Sequence, residues 1–205
     1  MEKLGSLIIY SLSTSISIDP EEFREDAISS KVPLHLLPNP INGVLPIKQI
    51  RKMLVDAFNY CYGINIRCNG GVVFIPEDMF PEWNRIMLML FHYEGIDFQV
   101  IGVYSTPVER GVLLNRIKSE IDVFYKKEIA HLNDKGKGDI TKGSVDVINN
   151  CLRRVKYMQC KTEVYSDILS SDLGGRREKM KNLCDMLCNL FEKKDKERKL
   201  LRMFA

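Results

Sequence analysis

The dipeptide Asn69-Gly70, followed by Gly71, separates two short runs of apolar β-forming residues, 64–68 and 72–75. Asn-Gly readily takes the left-handed backbone that a tight reversal requires, so the two runs are expected to pair as an antiparallel hairpin. A lone two-stranded hairpin is barely stable in water and needs further strands or helices to cover it. The flanking residues supply both. Pro76 ends the second run, Asp78 is placed to cap a helix over 79–93 with Pro81 in its first turn, and Gly95 closes that helix. Residues 98–104 form the next strand. Upstream, 7–12 read as a strand, and Asp19-Pro20-Glu21-Glu22 supplies an N-cap, a first-turn proline and acidic residues for a helix to about residue 29. Four prolines between 31 and 46 impose a loop, after which Ile47, Ile50, Leu54 and Phe58 mark a helix over 47–59.

Strand, helices, strand, strand, helix, strand is the order of a ferredoxin-like split βαβ domain (βαββαβ), so the expected fold class is α+β. Beyond residue 104 the pattern turns helical. Thr106-Pro107-Val108-Glu109 is a capping box that opens a long amphipathic helix through about 132. Val145, Ile148, Leu152 and Val155, then Met180, Leu183, Leu187 and Leu190, recur at three- and four-residue spacing, which predicts an αα-hairpin. The expected organisation is an α+β domain over 1–132, a linker over 133–144 and a C-terminal helical extension, long helix plus hairpin, completed over 145–205.

Charge is unevenly spread. Residues 1–110 carry 9 Lys/Arg against 13 Asp/Glu, whereas 111–205 carry 21 against 14, so a polyanion would meet the second half. The longest apolar run, 86–91, is six residues, far short of the roughly 20 that span a bilayer. With no secretory pattern at the N-terminus, the expected location is the cytosol. Six cysteines lack the C-x-x-C spacing of structural zinc sites; Cys184 and Cys188 share a helix face, where such pairs fill a core. Neither a metal nor a cofactor is expected.

Tyr10-Ser11-Leu12-Ser13, Leu37-Pro38, Gly70-Gly71-Val72-Val73-Phe74-Ile75-Pro76 and Thr106-Pro107-Val108-Glu109-Arg110 carry a resemblance, over about residues 7–121, to an uncharacterised domain family of bacteriophage and prophage genomes. The resemblance implies a viral or prophage origin, with the host cytosol as location, and brings no activity with it.

No catalytic motif stands out. Residues 138–144 have two glycines at phosphate-loop separation but no lysine after the second, and they follow a helix where a strand is required. Glu82, His92, Glu94 and Asp97 are the acid–base candidates, and a deep polar pocket around His92, Glu94 and Asp97 would argue for an enzyme. Alternation would place Tyr10, Phe74 and Phe98 or Tyr104 on one sheet face as base-stacking aromatics, with Ile9, Val73, Ile75, Ile101 and Val103 on the other. The competing expectation is that these aromatics pack beneath the C-terminal helices. Lys135, Lys137, Lys142, Arg153, Arg154, Lys156, Lys161, Arg176 and Arg177 form the basic surface of a nucleic-acid-binding alternative, though acidic residues interleave with them. Leu200, Leu201, Met203 and Phe204 form an apolar tail suited to a protein partner or to self-association. The leading expectation is a non-enzymatic accessory protein that binds a macromolecular partner, with interference in host defence as one role open to it.

Overall fold

The computed structural model describes residues 2–13, 15–67, 71–135, 142–171 and 173–203, without side chains at 132–135, 142–144, 197–198 and 200–203. It is α+β, and the chain divides into two compact units, Met1–Leu113 and Leu114–Ala205. The division falls inside a helix, and the expected linker over 133–144 lies largely outside the described residues.

In the first unit, strands β1 (Lys3–Leu12), β4 (Ile64–Asn65), β5 (Val72–Pro76) and β6 (Ile96–Tyr104) form one antiparallel sheet in the order β4-β5-β1-β6. The expected hairpin is therefore present as β4–β5, while its turn at 68–70 lies outside the described residues. Two short strands that carry no pattern of their own, β2 (Ile16–Ser17) and β3 (Val44–Leu45), pair as a second sheet.

Helix α1 (Pro20–Ser29) starts where Asp19 accepts from the N–H groups of Glu21 and Glu22. Helix α2 (Ile47–Tyr60) buries Ile50, Met53, Leu54, Ala57 and Phe58. The expected Asp78 cap is not formed: Glu77–Met79 makes a 3-10 turn, and α3 (Phe80–Phe91) follows Met79, which bonds no N–H through its side chain. The turn satisfies locally what a cap would have.

The helices cover one face of the sheet. Ile8, Val73, Ile75, Ile96 and Trp83 belong to one buried cluster, with Tyr10 and Phe98 packed against it. The chain's single tryptophan, Trp83, is stacked on Phe58 at 4.5 Å between ring centroids and meets Phe98 edge-on at 5.7 Å. Tyr10 contacts Phe58 at 5.3 Å. On the other face the Phe74 ring lies so near Gly5 that an added Cβ there would fall 2.7 Å from it and 2.1 Å from the Ile75 carbonyl oxygen, so only glycine fits.

Thr106 caps helix α4 (Pro107–Lys135), its hydroxyl accepting from the Glu109 N–H and donating to the Glu109 carboxylate. In the second unit α4 is followed by α5 (Lys142–Leu169) and α6 (Arg176–Met203), the last two packed as the expected hairpin. Among the described residues three ion pairs join them to α4. Glu128 binds Arg154 through both carboxylate oxygens, at 2.9 and 2.8 Å. Glu120 accepts from Lys161 at 2.6 Å, and Asp122 from Arg176. From the first pair to the second the partners retreat along α4 as they advance along α5, which fixes an antiparallel register.

The turn after α5 is a Schellman motif: the Ser171 N–H reaches the Ser166 carbonyl and the Ser170 N–H that of Asp167. Its left-handed position, at φ 47, is filled by Ser170, where glycine carries no Cβ penalty. Ser170→Gly is expected to raise stability by about 0.5–1 kcal/mol, read as a higher urea midpoint at unchanged slope. A lower midpoint would refute this account of the turn.

Candidate functional site

Two cross-strand rows run across the sheet from β4 to the opposite edge, β6. One runs Ile64, Phe74, Leu7, Ile101 and the other Asn65, Val73, Ile8, Val100. Phe74, Val73 and Ile8 are fully buried, yet the rows end on β6 with Ile101 49% and Val100 42% exposed. Tyr104, farther along, is 43% exposed. Among the described residues no strand pairs with the outer side of β6. From Phe98 to Tyr104 the edge has no charge or proline, two of the devices that usually keep such an edge from pairing with another chain, and its ladder with β1 shifts register only at its end, where Lys3 and Gly5 face Tyr104 and Val103.

The backbone direction of that edge follows from the ladder. Ser13 donates to the Gly95 carbonyl at 3.0 Å, one step beyond the Leu12–Ile96 pair. Hydrogen-bonded pairs alternate in an antiparallel ladder, so Asp97, Gln99 and Ile101 bond inward to β1. Phe98, Val100 and Gly102 then turn their N–H and C=O groups outward. Helix α3 packs on β6 through the Trp83–Phe98 contact and adds Leu88, 53% exposed, and Phe91, 69% exposed. The strand thus presents outward backbone groups and exposed apolar side chains, and the helix packed on it carries two more.

The sequence-predicted sites fall elsewhere. Tyr10 and Phe98 sit opposite each other beneath α2 and α3, and Phe74 lies on the other sheet face with Ile9, Ile101 and Val103. The register thus splits the expected aromatic row between two faces, one of them closed by helices. His92, Glu94 and Asp97 are exposed, with Asp97 accepting from the Ser11 hydroxyl at 3.4 Å, and they form no deep pocket.

Of the basic set, Arg153, Lys156 and Arg177 are exposed, while Arg154 and Arg176 hold carboxylates of α4. Lys161 is buried with its ammonium on Glu120, which removes it from any surface. Lys135, Lys137 and Lys142, the phosphate-loop candidate 138–144, and the tail side chains of Leu200, Leu201, Met203 and Phe204 lie outside the described residues or side chains.

Electrostatics in the second unit are those of a held framework. Burial raises the Glu128 carboxyl, but the hydrogen bonds and charge of Arg154 more than offset this and leave its pKa below the ordinary value. Burial pushes Lys161 down against the attraction of Glu120. In the first unit burial, with the Glu82 charge, pushes the Cys61 thiol up to about 12, far from a reactive thiolate. Burial likewise raises Cys184. Among the described residues no group of three His, Cys, Asp or Glu is placed to hold a metal ion. No helix of the described residues is long and apolar enough to cross a membrane.

A cleft beside α2 is lined by His35, Asn39, Gln49, Lys52 and Asp56, and a second lies between Gln159, Glu163, Gly175, Arg177 and Lys181. Neither gathers a nucleophile with an oriented base.

These features define an α+β protein with an open-edged antiparallel sheet and a charge-clamped helical unit. The family of unknown function DUF6744 matches residues 45–196, and the protein belongs to that family. The match takes in α2, the hairpin, β6 and the helical unit, a span shifted toward the C-terminus from the 7–121 over which the phage resemblance was read. No curated protein and no solved structure matches the chain.

Proposed function

We propose that the protein is a non-enzymatic phage or prophage accessory protein that works by binding a protein partner, and that β6 is the docking edge. The carrying observation is that both rows of the sheet, buried at β5 and buried or half-buried at β1, end at β6 in exposed apolar side chains beside outward backbone groups that no described strand pairs with. Strand addition to such an edge draws affinity from main-chain hydrogen bonds and specificity from alternate side chains. The phage or prophage origin, and interference with host defence as a role, rest on the resemblance carried by Tyr10–Ser13, 70–76 and 106–110. The sheet unit is also read as ferredoxin-like, a reading supported by the position of the first strand between the third and the last.

Val100→Lys tests the proposal, because it places a charge on the edge at a residue whose backbone hydrogen-bonding groups face away from β1. Tagged full-length chain, co-expressed with an untagged copy, is used to capture proteins from host extract with and without nuclease. The expected result is nuclease-resistant capture by the native chain, reduced at least tenfold in the variant. Equal capture by both would sink the assignment of β6. Nucleic-acid binding by Arg153, Lys156 and Arg177 is the alternative, and capture that vanishes with nuclease and falls steeply with salt would favour it.

A further inference from the structure

We infer that the strand added to β6 belongs to a second copy of this chain, paired antiparallel about a two-fold axis at Val100; the inference rests on the reading of β6 as the docking edge. A two-fold axis makes an edge meet itself, so the sequence must be compatible with its own reversal. That of β6 is. With Val100 facing its own counterpart, the outward hydrogen-bonding groups of Phe98 and Gly102 face each other, and an aromatic ring meets the residue that has no side chain. The Tyr104 ring lies over Gly102, since a Cβ built there would come 3.4 Å from it, and so stands diagonal to the incoming Phe98.

Gln99 then faces Ile101, and Asp97, the only charged residue of β6, faces Val103. The two Asp97 carboxylates end about 20 Å apart at ~3.4 Å per residue, beyond the roughly 8 Å screening length of physiological salt. A foreign peptide is usually selected by a charge or a pocket along the edge, and from Phe98 to Tyr104 this one has no charge to read. Continuing the sheet across the axis also brings each α3, with Leu88 and Phe91 exposed, toward its mate.

The test is sedimentation of the full chain across the micromolar range. The native protein is expected to be a dimer. Val100→Lys and Val100→Glu are each expected to be monomers with native-like melting, because residue 100 is partly exposed and its backbone groups point away from β1. An equimolar mixture of the two is expected to restore a dimer, since only at a two-fold centre does position 100 meet itself. A native monomer, a Val100→Lys dimer, or a mixture that stays monomeric would each overturn the inference. If the native chain is a monomer and its capture of another protein is still lost in Val100→Lys, the second copy is excluded while the docking edge stands.

Discussion

Replacing Trp83 by alanine is expected to lower the stability of the sheet unit by about 3–5 kcal/mol, the range for emptying a fully buried indole site. The side chain is fully buried, stacked on Phe58 and edge-on to Phe98, so its loss opens a cavity bounded by rings that cannot collapse far. Urea unfolding followed by circular dichroism reads the effect. Trp83→Phe is the control: it keeps an aromatic face and removes an indole N–H that is buried without a hydrogen-bond partner, so a cost below about 1.5 kcal/mol is expected. If alanine and phenylalanine cost the same, the ring cluster is not what holds α3 to the sheet.

The second large effect is an asymmetry across one ion pair. Glu120→Ala leaves the Lys161 ammonium inside the helical unit without its carboxylate, and breaking a buried pair from one side costs roughly 3–5 kcal/mol. The lower end of that range applies, because the Glu120 side chain is 35% exposed and water replaces part of what it supplies. Lys161→Met removes the buried charge itself and is expected to be neutral or stabilising by about 1–4 kcal/mol.

The pH dependence has a definite sign. The folded-state pKa of Lys161 lies below its unfolded value, so between the two the unfolded chain binds more protons and stability rises with pH. The advantage of Lys161→Met over the native chain is therefore largest at neutral pH and shrinks as pH climbs toward the ordinary lysine pKa. Tyr165, whose pKa burial raises, works in the opposite sense above the ordinary tyrosine pKa, but it does so in both proteins and drops out of the difference. An advantage that grows with pH would contradict the cause assigned here.

Local signals were legible in the sequence because they act over three or four residues. Asp19 before Pro20, the Thr106–Glu109 box and the helical spacing of Ile50, Leu54 and Phe58 each satisfy or bury groups within one turn. The β4–β5 pairing was legible for the same reason. What was not legible depends on which distant strand becomes a neighbour. Phe74 and Tyr10 could be assigned to opposite faces only once Leu7 was known to lie against Phe74.

The docking edge escaped for a related reason. Phe98-Gln99-Val100-Ile101-Gly102-Val103-Tyr104 is so nearly apolar throughout that it reads as an interior strand. Only the sheet order puts it at the rim, although the missing gatekeeper charges were visible from the start. Lys161 misled in the opposite direction, a cation in a basic stretch that the fold turned inward toward Glu120.

The edge strand ends at Tyr104, inside a unit that closes at Leu113, while residues 114–203 of the helical unit come later in the chain. Domains fold in order of synthesis, at about 5–20 residues per second, so the N-terminal unit can be complete for seconds before the helical unit is translated. During that interval a ribosome-bound chain already displays β6 to the chain emerging from the next ribosome on the same message. Pairing between nascent neighbours is thus open before release, in competition with misdirected pairing by any other exposed strand nearby.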